Sequence, residues 1–237
     1  MTLLATDLDG TLVGDDSALA VLKDQLAKLR NSGQLKLVYV TGRSLEMYQE
    51  LRDEKGLLEP DALLAAVGSE IYLDGVRQAD WPQVEQWSPR RIHEVLAGYS
   101  GLTPQPPTEQ RDFKLCFYFD NAVASVTKIQ AELGSDYAVI YSSNRYLDIL
   151  PAGVNKATAL EQLCRYWQLP LSIVIAAGDS GNDISMLGRY KAIIVGNASA
   201  ELRQWQLTAT NPALYVAKAS YAGGITEGLR HFGLLGR

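Results

Sequence analysis

A doubly wound α/β sheet, with a second and smaller α/β unit inserted into it, is the fold class this sequence predicts. Three observations predict it. Short apolar runs alternate with segments of helical periodicity from the N-terminus to the Asp74-Gly75 turn, and the same alternation resumes at Asn155. Between them lies a stretch of different texture, opened by Trp81-Pro82 and punctuated by Pro89, Pro104, Pro106 and Pro107. A chain of 237 residues has room for such a core and its insert. The expected boundaries are a core over 1–80 and 155–237 and an insert over 81–154.

The elements follow in order. Leu3–Thr6 is a short apolar run ending at Asp7, the pattern of a buried strand. Ser17 is the expected cap of a helix in which Leu19, Leu22, Leu26 and Leu29 recur at helical spacing, and Gly33 stops it. Leu37–Val40 is a second strand, a helix over roughly 45–54 follows, and Leu63–Val67 is a third strand. Ile71–Leu73 reads as one arm of a hairpin turning at Asp74-Gly75. In the insert, Ser88-Pro89 starts a helix whose apolar face is Ile92, Val95, Leu96 and Tyr99. Phe113–Phe119 is expected as a strand, 121–133 as a helix, and Tyr137–Tyr141 and Tyr146–Leu150 as two more strands. The core resumes with a helix from Asn155 carrying Leu160, Leu163, Cys164 and Trp167. Strands at Ile173–Ala177 and Ala192–Val195 follow, then a helix over 199–206 and a last helix from about Gly224. Alternation of this kind gives a parallel sheet with helices on both faces.

Composition narrows the function. With 47% hydrophobic and 21% charged residues the chain can bury a sizeable core. Twenty-two basic against 27 acidic residues leave a net charge of −5, which argues against nucleic acid as a partner. No apolar run is long enough to span a bilayer, and no membrane partner is expected. The N-terminus reaches Asp7 without a basic start or a long apolar stretch, so a cytoplasmic location is expected. Cys116 and Cys164 fit neither a disulfide framework nor a zinc site and read as small core residues.

Four polar segments carry the chemistry. Asp7-Leu8-Asp9-Gly10-Thr11 places two carboxylates just past a strand end, where they need a cation or a proton between them. A magnesium ion meets that need with hard oxygen ligands, and an aspartate beside it can act as a nucleophile toward phosphorus. An Asx-turn would also gather aspartates there. Gly178-Asp179-Ser180-Gly181-Asn182-Asp183 is more specific, since four fixed positions recur by chance on the order of once in a thousand chains. It offers a cation ligand in Asp179, a phosphate donor in Asn182, and an orienting carboxylate in Asp183, although a helix N-cap would use similar residues. Thr41-Gly42-Arg43-Ser44 follows a strand and suits a phosphate cradle, as it suits an ordinary turn. Lys156 precedes a core helix, where a cation would offset crowded carboxylates. Three of the four segments lie at the carboxyl ends of strands, where open α/β sheets bind ligands.

Taken together, these residues resemble the haloacid dehalogenase superfamily of aspartate-nucleophile phosphohydrolases, whose four motifs are matched in order. The resemblance implies Asp7 as nucleophile and metal ligand, and Asp9 as general acid and base with its carbonyl on Mg2+. It implies Thr41, Gly42, Lys156 and Asn182 on the phosphate and Asp179 on the metal, with Arg43, Ser44, Ser180 and Asp183 supporting them. The insert is then the family's α/β cap. Finer features are similar to the sucrose-6-phosphate phosphatase branch: Gly68–Ile71, Gln105 through Gln110 to Lys114, Ser142-Ser143, Asp148–Pro151, Asn197-Ala198 and Ala219–Ile225. Tyr221 departs from that branch, where a histidine is more familiar. Phosphatases of trehalose-, mannosylglycerate- and glucosylglycerate-phosphate share the core motifs.

The branch implies hydrolysis of sucrose 6-phosphate to sucrose and phosphate, the last step of sucrose synthesis. The enzyme would be a monomer in transient contact with the sugar-phosphate synthase. Glu70, Gln105, Gln110, Lys114, Ser142, Asn144 and Asp148 are the candidates for binding sugar hydroxyls, and solvated cap faces would use the same residue types. Phe113, Phe117, Tyr118 and Phe119 are expected in the cap's core rather than as a sugar platform, and the charge of Lys114 near Arg111 is equally that of a solvated surface. The rivals are a phosphosugar mutase, a phospho-receiver domain and a non-catalytic sugar-binding protein. A receiver needs neither the insert nor the late Gly178–Asp183 motif, and binding alone requires no paired aspartates around a metal.

Overall fold

The computed structural model describes residues 1–120 and 123–236. The chain begins with β1 (Thr2–Thr6), α1 (Asp16–Asn31), β2 (Leu35–Val40), α2 (Leu45–Lys55), β3 (Ala62–Ala65), β4 (Glu70–Leu73) and β5 (Val76–Arg77). It continues through α3 (Pro89–Leu96), β6 (Thr103–Pro104), β7 (Leu115–Tyr118), α4 (Val123–Leu133), β8 (Tyr137–Ser142) and β9 (Tyr146–Pro151). Then come α5 (Lys156–Tyr166), β10 (Val174–Gly178), α6 (Ile184–Leu187), β11 (Lys191–Ile194), α7 (Ala200–Gln206), β12 (Leu214–Val216) and α8 (Tyr221–His231). The first two residues of the helix expected over 121–133 lie outside the described residues.

Among the described residues, eight strands form one sheet in the order β12-β11-β10-β1-β2-β3-β4-β5. It is parallel from β12 to β3, while β4 and β5 are antiparallel. Alternation along each strand sorts side chains to two faces. Leu4 of β1 with Leu37 and Tyr39 of β2 meets Leu19, Leu22 and Leu26 of α1, Leu51 of α2 and Ile225 of α8. Leu3, Ala5, Val38 and Val40 point the other way, onto Leu160 and Leu163 of α5, Met186 of α6 and Leu202 of α7. Each such leucine, taken out of water, contributes about 1.5–3 kcal/mol. Helices on both faces and the order reversal at β1 put the crevice beyond the carboxyl ends of β1, β2 and β10.

A second sheet, antiparallel in the order β6-β7-β9-β8, lies within the segment read as the insert. One face of it packs Phe117, Leu147 and Ile149 against Ile92 and Leu96 of α3 and Ile129 and Leu133 of α4. Its other face carries Lys114, Tyr118, Ser142, Tyr146 and Asp148 toward the crevice.

The strand expected over Phe113–Phe119 is confined to Leu115–Tyr118, the edge strand β6 was not expected, and four further details differ from the sequence expectations. Asp15 rather than Ser17 caps α1, because its carboxylate accepts from the Ser17 and Ala18 N–H groups (3.0 Å each). The third strand stops at Ala65, since Ala66 and Val67 turn into positive φ (51° and 60°). The last helix begins at Tyr221, with Gly223 and Gly224 inside its first turn. Leu214–Val216, too short to carry a pattern, adds the edge strand β12.

Candidate active site

Asp7 continues the β1–β10 ladder by one residue, its N–H donating to the Ala177 carbonyl (3.0 Å), so its side chain is fixed at the sheet's end. Gly10 then turns the chain away at φ +79°, where a Cβ would stand 2.6 Å from Asp179 Oδ2. Thr11 donates its hydroxyl proton to Asp179 Oδ1 (2.7 Å). Lys156 is the first residue of α5, set there by a capping box between Asn155 and Thr158. Its ammonium is fully buried and donates to Asp7 Oδ1 and Asp183 Oδ1, both at 2.7 Å. The other oxygen of Asp183 accepts from the Asp179 and Ser180 N–H groups (2.9 and 3.0 Å).

Asp7, Asp179 and Asp183 thus offer oxygens all within 4.8 Å of one another. Burial pushes the Asp7 carboxyl well above its ordinary value; Lys156 opposes the shift, and Asp183 and Asp179 add to it. Burial, then the charge of Asp183, pushes Asp179 up to about 7 against the hydrogen bond from Thr11. Burial alone would lower Lys156, but the charges of Asp183 and Asp7 overturn it and hold the ammonium above its ordinary pKa. One lysine among three carboxylates leaves negative charge over. A donor set made only of hard oxygens fits a divalent cation that would offset it. Asp183 is already held through both oxygens, by Lys156 on one side and the Asp179 and Ser180 N–H groups on the other.

The Thr41–Ser44 segment faces this cluster from the end of β2. Gly42 lines the cavity beside Asn182. Thr41 is buried and its hydroxyl accepts from the Arg43 N–H (3.1 Å). Val67, held at φ 60° with its N–H on the Thr41 carbonyl (2.9 Å), braces the segment from behind. A β-branched residue in that region stores strain of order 1–3 kcal/mol. Ser44 caps α2, accepting from Met47 N–H (3.3 Å). Arg43 grips both oxygens of the exposed Asp9 carboxylate (2.6 and 2.7 Å), so Asp9 is turned to the guanidinium and away from the buried cluster.

A cavity of about 440 Å³ joins this floor to the second sheet. Of the candidates for sugar contact, Gln105, Lys114, Ser142 and Asp148 line it. Lys114 is buried and no surface charge: it donates to the Gly42 carbonyl (3.1 Å) and pairs with Asp148 (3.6 Å). Burial pushes Asp148 up while Lys114 pulls it down. Three candidates are elsewhere. Glu70 is buried outside the cavity wall, accepting from Tyr72 (3.0 Å) with Arg77 and Arg111 at 3.8 Å. Gln110 spends its amide on the Gln105 and Cys116 carbonyls and the Cys116 N–H. Asn144 accepts from the Tyr141 hydroxyl (3.4 Å) on the surface. Sequence reasoning missed Met47 and Tyr146 in the wall, singled out the segments of Pro106, Glu109 and Ser143 without naming those residues as contacts, and placed Tyr118 in the cap's core where it lines the cavity. Tyr118 and Tyr146 share the parity of Lys114 and Asp148 along their strands, and that signal would have found them.

Polar pairs beside the cavity tie the 81–154 segment to the rest of the chain. Glu201 accepts from the Ser143 N–H (2.6 Å), Arg111 pairs with Glu46 (2.7 Å), and Arg77 pairs with Asp112 (3.1 Å). Gly181 presses on the Tyr141 carbonyl, where a Cβ would stand 2.3 Å away.

A parallel sheet roofed by a second, smaller sheet is the fold shared with solved phosphatases of the haloacid dehalogenase superfamily, one of them at a TM-score of 0.73 and 24% identity. The chain belongs to the sucrose-6F-phosphate phosphohydrolase family, whose model matches residues 1–233, and is a phosphoric monoester hydrolase. It is similar to the sucrose-phosphatase of Synechocystis sp. PCC6803, solved in complex with sucrose and phosphate, at 35% identity and a TM-score of 0.93 over 98% of both chains. It is 33% identical to the mannosylfructose-phosphate phosphatase of Agrobacterium fabrum over 99% of this chain and 98% of that one. With the probable sucrose-phosphatase 2 of Arabidopsis thaliana it shares 34% identity over 98% of this chain, which spans 60% of the plant protein's length. Among the described residues no helix is long and apolar enough to cross a membrane.

Proposed function

We propose that the chain releases inorganic phosphate from sucrose 6-phosphate, with Asp7 as nucleophile. The observation that supports it most is the buried Lys156, which fixes one oxygen of Asp7 at the floor of a cavity whose roof is polar. Likeness to a phosphatase that holds sucrose and phosphate supports the choice of sugar. Asp7 attacks phosphorus as the sugar's ester oxygen departs with a proton from Asp9. A water then gives its proton to Asp9 and attacks the same phosphorus, and the aspartyl–phosphorus bond breaks to restore the carboxylate. Asp9 must exchange one of its bonds to Arg43 for the leaving oxygen. The Thr41 hydroxyl, the Gly42 N–H and Asn182 hold phosphate oxygens in this reading, and Lys156 balances their charge.

Magnesium is the ion this reading assigns to Asp7, Asp179 and the Asp9 carbonyl; when bound it supplies positive charge that screens the phosphoryl oxygens from the attacking carboxylate. Ser180 and Asp183 keep the ligands in place. Residues 81–154 act as the cap, which excludes bulk water and selects the leaving group. The cytosol is the compartment, and the working form is a monomer meeting the sugar-phosphate synthase transiently. The full-length match to mannosylfructose-phosphate phosphatase favours a second reading, a related disaccharide phosphate.

A phosphate-release panel tests the choice. Sucrose 6-phosphate is expected to exceed the mannosylfructose, trehalose, mannosylglycerate and glucosylglycerate phosphates by about tenfold or more in kcat/KM. Equal efficiency across the panel would overturn the sugar assignment. Isomerised sugar phosphate in place of free phosphate would indicate a mutase.

A further inference from the structure

We infer that Tyr146, backed by Tyr118, is an aromatic rest for the sugar ring that does not carry the phosphate, and that it sets the preference for a disaccharide. The inference rests on the proposed function and adds a residue to it. Register places the pair. Tyr118 of β7 lies directly opposite Tyr146 of β9, which lies opposite Ser142 of β8, so the three form one cross-strand row. The next row on the same face is Cys116, Asp148 and Ile140. Strand alternation sends Phe117, Leu147 and Ile149 to the helix-packed face and leaves this face to the cavity.

The two rings stand 6.0 Å apart at 51°, and the Arg145 guanidinium lies 4.9 Å from the Tyr118 centroid. Tyr118 thus has both a cation and its partner ring against it. Tyr146 keeps 39% of its surface exposed while the residues after it in β9 are buried. Packing against Tyr118 accounts for one side of the Tyr146 ring and leaves the rest open on the wall of a cavity that also holds Asp7 and Asp9. A pyranose matches it: its C–H face is apolar and its rim is polar, so it can lie on an aromatic ring while its hydroxyls reach Ser142, Asp148 and Gln105. The phosphorylated ring is confined near the floor by its ester, so the row serves the other ring.

Steady-state kinetics test this. In Tyr146→Ala the KM for sucrose 6-phosphate should rise about tenfold, whereas the inhibition constant of inorganic phosphate, which meets only the floor, stays within about twofold. Tyr146→Phe, which keeps the ring and loses the hydroxyl, should restore the KM. An unchanged KM in Tyr146→Ala overturns the inference, as does a parallel rise in the phosphate constant or a Phe variant as impaired as the Ala variant. A wild-type enzyme that releases no phosphate from sucrose 6-phosphate overturns the proposed function, and the inference with it.

Discussion

Lys156 shares one buried positive charge between Asp7 and Asp183, and that sharing decides what single substitutions do. Removing the ammonium leaves two carboxylates buried without their partner, which costs on the order of 3–5 kcal/mol. Lys156→Ala should lower the urea midpoint accordingly and abolish phosphate release; an unchanged midpoint would show that the carboxylates have another counter-charge. The thiols make a second test. Burial pushes Cys116 up to about 12 and raises Cys164 as well, so both stay protonated near neutral pH, and the thiolate is the reactive form. Ellman's reagent should find no reactive thiol in the native protein and two after denaturation. At this scale the core motifs were legible because the chemistry demands particular residue types at strand ends. The cap contacts were legible only in part. Polarity marks Gln110 and Glu70 as candidates, but whether an amide meets a ligand or its own backbone depends on contacts distant in sequence. Tyr118 was hidden inside an aromatic run whose alternate members face opposite ways.

At the scale of elements, α5 has to begin where it does for its first side chain to reach the aspartates. Asn155→Ala removes the cap that sets this start and should cost about 1 kcal/mol in denaturant unfolding, with a larger fractional loss in kcat than in stability. Stability and rate falling in proportion would mean the cap serves only the helix. Helices with leucines at regular spacing and strands made of short apolar runs could be read directly. Their ends could not, since Asp15 and Ser17 are both good caps and only the folded chain shows which carboxylate or hydroxyl meets the free N–H groups. The stop at Ala65 is a tertiary effect: the Thr41 carbonyl holds Val67 in a conformation its side chain disfavours.

For the molecule as a whole, function depends on two sheets meeting over one cavity. An apolar cluster of Val67, Leu150 and Val154 with Ile140 joins them, and polar ties add to it: Glu201 on the Ser143 N–H, Arg111 on Glu46, Arg77 on Asp112, and Lys114 on the Gly42 carbonyl. The exposed tie of Arg111 to Glu46 contributes little to stability, so it biases cap position more than folding. Combining Arg111→Ala with Glu201→Ala should enlarge the radius of gyration in solution scattering while the melting temperature moves by less than roughly 3 °C. The topology was legible from strand–helix alternation, and the β4–β5 hairpin from its Asp74-Gly75 turn, while the cap's docking is settled only by long-range contacts.

In the proposed reaction Asp7 takes the phosphoryl group onto its own carboxylate. Acid-quenched turnover of sucrose 6-phosphate, reduced with borohydride and mapped by peptide mass spectrometry, tests it most directly. The expected result is homoserine at position 7, absent without substrate. Rapid phosphate release with Asp7 unmodified in every trapped sample would contradict it.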